Sequence, residues 1–473
     1  MTLRRPSGFA GFTGLWIGQL LSALGTRMTT FAVSIWVWEA TGRTTDLVLL
    51  TFFAFGTTVI FSPIAGVLID RWNRRLTIAL SDIGSAIASA VLLVLFLTDS
   101  VSLWQLYLVN AVTGAFLAFQ IPAYTATIAL MVEKGNYPRA NAMMFAVRSA
   151  PVIFSPALAG TLLALTNINV ILAADVVSCV IAVAAVFLVA LPPTPTDAAK
   201  EPLKLWQDSL FGFRYILRNR SLVGLESILF AVNLFASVGY VLLIPFLLAR
   251  TGSSEAQVGV VQTVGAVGGV AGAVLLAALK PTPHKIRRML IAMVVFSVLG
   301  RILYGVGDTL VVWAIALLFV HLCIPFIDGY AQSIWQEKVE PGAQGRVFSA
   351  RQFVEDLTVP IAALIAGPLV DNLLEPWMRA GQPGARLFGG LVGTGPGAGM
   401  GLVFVVIGLL GVLVAATGFA LPSIRRLETL LPDHDAGGGS PDAAVGDVSV
   451  TGSVTPALVP SQPQAVLAER PQS

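Results

Sequence analysis

Long apolar runs separated by short polar segments make up most of the chain from residue 12 to residue 421. A helix needs about 20 predominantly apolar residues to cross the hydrocarbon core of a bilayer. The pattern therefore predicts an all-α membrane protein with twelve transmembrane helices, here called spans 1 to 12. These spans are Phe12–Trp38, Leu47–Ile69, Leu76–Leu97, Leu103–Met131, Asn141–Thr166, Ile168–Leu191, Leu222–Ala249, Ala256–Leu279, Arg288–Val306, Leu310–Trp335, Ala350–Leu374 and Gly399–Leu421.

Composition excludes a soluble globular protein. Hydrophobic residues make up 56% of the 473 residues and charged residues only 12%, which is too little polar surface to cover a globule of this size. The only two cysteines, Cys179 and Cys323, lie in apolar runs. They support neither a disulfide framework nor a metal cluster, and we expect no cofactor.

Basic residues predict the orientation in the membrane. If both termini are cytoplasmic, the Lys and Arg residues of nearly every loop fall on the cytoplasmic side, as bacterial inner-membrane proteins require. The exceptions, which fall outside, are Arg43, Arg250, Arg379 and Arg386.

A long internal loop divides the chain into two halves. Residues 192–221 open with Pro-Pro-Thr-Pro-Thr and close with an amphipathic run from Leu205, which predicts a cytoplasmic linker with a helix on the membrane surface. The domains are then a six-helix bundle at 1–191, this linker, a second six-helix bundle at 222–426, and a tail at 427–473 whose Gly-, Ser- and Pro-rich composition predicts disorder.

The two bundles share an internal repeat. Val132-Glu133-x-Gly135-x-x-x-Arg139 followed by Ala159-Gly160 recurs as Val339-Glu340-x-Gly342-x-x-x-Arg346 followed by Ala366-Gly367. The register is kept across a loop and a helix, which is typical of the parallel repeats of transporters.

A charged hairpin joins spans 2 and 3. Gly66 allows two helices to approach closely, Asp70 can cap or form a salt bridge at a helix end, and the arginines keep the turn among the cytoplasmic headgroups. The arginines are Arg71, Arg74 and Arg75. The spacing G-x-x-x-D-R-x-x-R-R resembles the signature of major facilitator superfamily transporters, in which this loop latches the cytoplasmic gate. The resemblance implies the major facilitator fold.

Other segments resemble the macrolide and siderophore exporter branch of that family, among them Leu24-Gly25-Thr-Arg27-Met28 in span 1 and Gly367-Pro-Leu-Val-Asp371 in span 11. Span 5 contains Ser155-Pro156-Ala-Leu-Ala-Gly160, which resembles a degraded form of the G-P-x-x-G-G motif of drug–proton antiporters. A packing face of small residues would explain the same pattern.

Polar residues inside the spans are costly and therefore mark candidate sites. In this family spans 1, 4, 7 and 10 line the central cavity, which by resemblance selects Arg27, Asn110, Gln120, Glu226, Asn233, His321 and Asp328. Glu355 and Asp356 in span 11 are further candidates. We interpret Asp82, Arg148 and Arg301 as gate salt bridges or as side chains that reach towards the interface.

In span 10, His321, Pro325, Asp328 and Gln332 share one helical face. His321 changes charge near neutral pH, so this stripe predicts a proton pathway, with Arg27 approaching from span 1. Glu226 and the pair Glu355 and Asp356 are the alternatives. His321 as an ordinary packing residue is equally open.

These features favour a secondary transporter that exports an amphipathic small molecule, such as a drug, siderophore or secondary metabolite, by proton antiport. The alternatives are a proton-coupled metabolite importer of the same fold and a receptor or assembly protein that does not transport. The glycine run Gly393–Gly399 lacks the Lys-Ser/Thr of a phosphate loop, so neither ATP hydrolysis nor another enzymatic activity is expected. We expect a monomer whose partners are the bilayer, protons and the substrate, with no nucleic acid.

Overall fold

The structure is a computed structural model. It describes residues 8–71, 74–132, 137–189, 205–280, 282–425 and 427–430. Every regular element within these ranges is helical. The helices are α1 Gly8–Thr41, α2 Thr44–Arg71, α3 Arg74–Leu97, α4 Leu103–Met131, α5 Tyr137–Leu165, α6 Ile168–Leu188, α7 Leu205–Arg218, α8 Arg220–Val241, α9 Leu243–Thr251, α10 Glu255–Ala278, α11 Lys285–Val295, α12 Leu303–Val306, α13 Leu310–Lys338, α14 Pro341–Asp356, α15 Thr358–Leu369, α16 Glu375–Trp377, α17 Pro383–Val392, α18 Ala398–Ala420, α19 Pro422–Arg425 and α20 Leu427–Leu430.

Short polar turns set the ends of these helices. The Asn167 side chain accepts a hydrogen bond from the backbone N–H of Val170 at 3.3 Å at the start of α6. Thr309 caps α13 in the same way through the N–H of Val312, at 3.4 Å. Such caps supply partners for N–H groups that have none within the helix.

Three predicted spans are interrupted. Span 7 is divided into α8 and α9 at Leu242, three residues before Pro245, which lacks a backbone N–H. Span 11 is divided into α14 and α15 at Leu357, three residues before Pro360. Span 9 contains a π-helix at Phe296–Ile302, which the sequence pattern did not predict. π-helical turns are rare and concentrate at functional sites.

Ten stretches of the described residues are long and apolar enough to cross a membrane. Predicted spans 4 and 5 coincide with the helices α4 and α5. A bundle of membrane-spanning helices is therefore confirmed, and the count of twelve stays a prediction.

Most of the helix packing lies within each half, although the largest buried apolar cluster contains residues of both halves. In the first half, α1 packs against α5 and α6, α2 against α4, and α3 against α4 and α6. In the second half, α10 packs against α13, and α15 and α18 pack against α8. Many large apolar side chains also remain exposed, for example Leu188 and Val311, which suits helices that face lipid.

Two helix pairs form the most extensive contacts between the halves, and both have a glycine at the crossing. In the pair α5–α10, a Cβ atom at Gly160 would lie 3.1 Å from the carbonyl oxygen of Glu255. In the pair α2–α15, a Cβ atom at Gly367 would lie 2.8 Å from the Cα atom of Thr45. The two glycines are equivalent positions of the internal repeat. We call the end of the bundle with these crossings the outer end, following the orientation predicted from the basic residues.

The predicted amphipathic helix is present as α7, and it packs against α14. The guanidinium of Arg346 lies over the ring of Phe211, with its carbon 4.0 Å from the ring centre. Residues 192–204 of the linker and 431–473 of the tail lie outside the described residues, so the predictions for them remain predictions.

Candidate functional site

A recess in the second half brings together three of the predicted site residues. Its volume is about 170 Å³, and its walls are formed by α8, α13 and the π-helix. Asn233, His321 and Asp328 all line it. Asp328 is exposed, whereas Asn233 and His321 are partly buried. We call this cavity the C-half recess.

Arg301 also lines the C-half recess, and its placement contradicts our interpretation from sequence. The sequence predicts a gate salt bridge or a side chain that reaches the membrane interface. Instead Arg301 is only 5% exposed, and its Nη2 donates to the carbonyl oxygen of Ala236 at 2.9 Å. A buried guanidinium inside a membrane bundle is costly, so we add Arg301 to the candidate site.

His321 is held between two helices. Its Nδ1 lies 3.2 Å from the carbonyl oxygen of Leu317, so the tautomer that carries a proton on Nδ1 donates this bond. On the neighbouring α10, a Cβ atom at Gly265 would lie 2.8 Å from the same nitrogen. Gly265 therefore makes room for the imidazole.

A second cluster lies around Arg351, where α8, α13 and α14 meet. The Nε atom of Arg351 is 2.8 Å from Glu355 Oε1 and 3.8 Å from Glu226 Oε2. Its Nη1 donates to Gln332 Oε1 at 3.1 Å. The predicted residues Glu226 and Glu355 thus share one guanidinium. The predicted partner of Glu355, Asp356, is exposed and accepts a hydrogen bond from Gln352 at 2.7 Å instead.

In the first half, Asp82 is held by two amide side chains. Gln19 Nε2 donates to Asp82 Oδ2 at 2.8 Å, and Gln120 Nε2 donates to Oδ1 at 2.6 Å. Asp82 is only 2% exposed, so the expected interface role is wrong here as well. Gln120 was predicted from its place in span 4, whereas Gln19 was missed.

Asp175 forms a further buried polar group that the selection by spans 1, 4, 7 and 10 left out. Its carboxylate accepts hydrogen bonds from Ser89 Oγ at 2.8 Å and from Thr26 Oγ1 at 3.1 Å. The thiol of Cys179 lies 3.6 Å from Oδ1. These bonds connect α6 to α1 and α3.

The remaining predicted residues lie elsewhere. Arg27 is exposed, and Asn110 donates to the carbonyl oxygen of Leu106 within α4 at 2.9 Å. Ser155 is buried and its hydroxyl donates to the carbonyl oxygen of Leu24 on α1 at 3.1 Å. Pro156 and Gly160 form the crossing with α10, where a Cβ atom at Gly259 would lie 2.8 Å from the Pro156 carbonyl oxygen.

The side chains of the predicted gate lie outside the described residues. They belong to Gly66, Asp70, Arg71, Arg74 and Arg75. Their gating role stays a prediction.

Comparison with known proteins identifies the family. The model of the Major Facilitator Superfamily matches residues 15–363. Macrolide efflux protein A of Streptococcus pyogenes is 24% identical over 366 residues, which cover 76% of this chain and 90% of that protein. The enterobactin exporter EntS of Citrobacter koseri is 28% identical over 322 residues, which cover 66% of this chain and 73% of that protein.

A solved structure shares the fold. A bacterial homologue of the human lysosomal transporter Spinster, crystallised in an inward-facing and unoccupied conformation, superposes with a TM-score of 0.64 at 16% identity. The superposition covers 88% of this chain and 97% of the homologue. With the family model matching most of its length, the chain belongs to the Major Facilitator Superfamily of membrane transporters.

Proposed function

We propose that this chain exports an amphipathic small molecule in exchange for protons. The direction of transport is supported by the two relatives, which are named for the efflux of a macrolide and the export of enterobactin. The coupling to protons is supported by one observation in particular, the two carboxylates that share the guanidinium of Arg351.

Charge balance around Arg351 argues for proton binding. Arg351 and Glu226 are each 8% exposed. When Glu226 and Glu355 are both ionised, one positive charge faces two negative charges, and a net charge away from water is unfavourable. Binding one proton to either carboxylate restores neutrality. The cluster can therefore alternate between two charge states during a transport cycle.

Helix geometry connects this cluster to the C-half recess. Gln332, which accepts from Arg351, lies one turn beyond Asp328 on α13, and Asp328 lies two turns beyond His321. We therefore extend the pathway predicted through His321 and Asp328, so that protons move between the Arg351 cluster and the C-half recess. Arg27 is exposed, so an approach to Asp328 would require another conformation.

Reconstitution tests the proposal. Purified protein in liposomes containing the pH dye pyranine is supplied with radiolabelled erythromycin as the probe. If the exchange is proton antiport, a proton gradient should drive erythromycin transport against its own gradient, and erythromycin should induce proton movement in the opposite direction.

The rival activities give different results. An importer of the same fold would move its substrate and protons in the same direction. A receptor that does not transport would show neither flux. Erythromycin transport that is unaffected by the proton gradient would contradict coupling but leave export standing.

A further inference from the structure

We propose that the C-half recess binds an anionic group of the transported molecule, with Arg301 as its counter-ion. This inference rests on the proposed export function and deepens it by naming a substrate class. That class is amphipathic molecules with a carboxylate or a chemically similar anion on a small apolar group. Erythromycin, which carries an amine and no anionic group, lies outside this class, so it tests export and not this site.

The positive charge of Arg301 has no ionic partner among the described residues. A guanidinium remains protonated in proteins, and an isolated cation in a membrane bundle is normally paired or functional. Within the described residues, no carboxylate lies within ion-pair distance of Arg301, and its Nε has no hydrogen-bond partner. The observed bond to the carbonyl oxygen of Ala236 uses one of five N–H donors. Arg301 therefore has unused donors for an acceptor group.

The guanidinium of Arg301 is held in place by its neighbours. It lies over the ring of Phe296, 5.0 Å from the ring centre, and over the ring of Phe404 at 5.9 Å. On α8, a Cβ atom at Gly239 would overlap its nitrogen atoms. The two aromatic rings and the close backbone at Gly239 position the charge without neutralising it.

The C-half recess is accessible to a ligand from outside the bundle interior. Tyr240 and Ile324 line the C-half recess, and their side chains are 46% and 38% exposed. Arg301, at 5% exposure, forms the inner wall of the same cavity. A molecule can therefore enter past the exposed side chains and place its charged end against the arginine.

The size and the lining of the C-half recess indicate which ligand it can hold. A cavity of about 170 Å³ is similar to cavities of roughly 150 Å³ that bind a single benzene ring. Val232, Leu317 and Val320 supply apolar wall, and Asn233 and His321 supply polar groups. Asp328 also lines the recess, but it is exposed and forms no ion pair with Arg301 among the described residues. One ring or short aliphatic chain that ends in an anion fits this combination.

The test uses two probes of the same shape on the purified full-length protein in detergent. Benzoate carries the anion and benzamide is its neutral counterpart, and calorimetry at neutral pH measures both affinities. We expect benzoate to bind at least roughly tenfold more tightly than benzamide, because charge-assisted hydrogen bonds are the stronger ones. Equal affinities, or no benzoate binding, would overturn the proposal without any variant.

Variants then assign the binding to Arg301. Arg301→Gln should abolish the preference for benzoate, and Arg301→Lys should retain part of it. Gly239→Ala, which displaces the guanidinium and leaves its charge, should weaken benzoate binding several-fold. Arg379→Gln removes an exposed arginine on the outer side and should leave both affinities unchanged. A benzoate preference that survives in folded Arg301→Gln protein would contradict the assignment.

This experiment is independent of the proposed function. Benzoate binding to the purified chain requires neither a proton gradient nor a direction of transport. Binding can therefore fail while erythromycin export stands, and export can fail while the anion site stands.

Discussion

Asp371 of the second half caps the helix that begins at Thr44 in the first half. Its Oδ2 accepts a hydrogen bond from the backbone N–H of Thr45 at 2.7 Å, and its Oδ1 accepts from the N–H of Thr44 at 3.1 Å. The first N–H groups of a helix lack internal partners, and the positive end of its dipole attracts a carboxylate. One side chain thus adds a polar link between the two halves at the outer end.

The sequence around this cap repeats the predicted cytoplasmic hairpin. Gly367-Pro-Leu-Val-Asp371 has the same G-x-x-x-D spacing as Gly66-Val-Leu-Ile-Asp70. In the outer copy, the glycine allows α2 to approach closely and the aspartate caps it. The cytoplasmic copy lies in α2, and the outer copy begins in α15 and ends in the π-helix Val370–Leu374 that follows it. The helices α2 and α15 pack against each other.

We therefore predict that Asp371→Asn weakens closure of the outer end. The amide of Asn keeps one acceptor oxygen but loses the second and the negative charge at the helix N-terminus, which costs about 0.3–1 kcal/mol and shifts an equilibrium between two conformations roughly two- to fivefold. Spin labels at Arg43→Cys and Asn372→Cys, both exposed positions, would measure the distance between the halves. The population with the longer distance should increase.

The matched control for this prediction is Asp308→Asn, which removes an exposed carboxylate from the same end of the bundle. Its distance distribution should equal that of the parent protein. A distribution that does not change in Asp371→Asn would mean that the cap contributes nothing to closure.

A second prediction concerns the two crossing glycines. Gly367→Ala places a Cβ atom 2.8 Å from backbone of α2, and Gly160→Ala places one 3.1 Å from a carbonyl oxygen of α10. Both substitutions should reduce the yield of disulfide crosslinks between a cysteine placed in the first half and one placed in the second half at the outer end. Gly367→Ala should have the larger effect. Gly390→Ala, where a Cβ meets nothing within 4 Å, is the control. An equal crosslinking yield in all three variants would contradict the packing argument.

The sequence predicted the helices well because apolar length alone identifies membrane spans. It also selects Glu226, Glu355, His321 and Asp328 as candidates, since each is a charged or polar residue within an apolar run, and their roles stay predictions. It could not predict which of these share a partner, because Arg351 reaches Glu226 across more than 120 positions of sequence only after the bundle forms.

Two errors have specific physical causes. Arg301 and Asp82 lie within a few turns of a span end, and linear position does not reveal that each side chain points into the bundle. Asp175 lies outside spans 1, 4, 7 and 10, so the selection of those spans omits it, although its three donors place it in the interior of the first half. The repeated G-x-x-x-D spacing was a signal in the sequence that could have identified the outer cap.

The Arg351 cluster leads to a third prediction, on coupling. Glu226→Gln and Glu355→Gln each remove one ionisable carboxylate, so the remaining pair with Arg351 has no need of a proton. Both variants should bind erythromycin, lose most proton-driven transport in liposomes, and retain exchange of labelled for unlabelled erythromycin. Asp356→Asn neutralises the exposed neighbour and should retain coupling. Coupled transport at the parental rate in both glutamine variants would place the proton site elsewhere.

A fourth prediction concerns Asp175 and stability. Asp175→Ala removes a fully buried acceptor and leaves the hydroxyls of Ser89 and Thr26 without it, which costs about 1–3 kcal/mol per unsatisfied group. The apparent Tm in scanning fluorimetry should fall by several degrees, as expected from the loss of buried hydrogen bonds. Combining it with Ser89→Ala should add little, since both remove the same bond. Asp99→Asn on an exposed turn is the control.

The last prediction concerns the cytoplasmic copy of the repeated motif. If Asp70 caps a helix of the second half as Asp371 caps α2, the two carboxylates stabilise opposite conformations. Asp70→Asn should then reduce the population that is closed at the cytoplasmic end, and the outer-end labels should report shorter distances, the reverse of the Asp371→Asn result. The double variant should return towards the parental distribution, because both closed states lose a similar cap. Transport should be slow in each single variant, since either imbalance traps one conformation. If Asp70→Asn instead lengthens the outer distances, the two motifs do not act as reciprocal caps, and the Asp70 hairpin has another role.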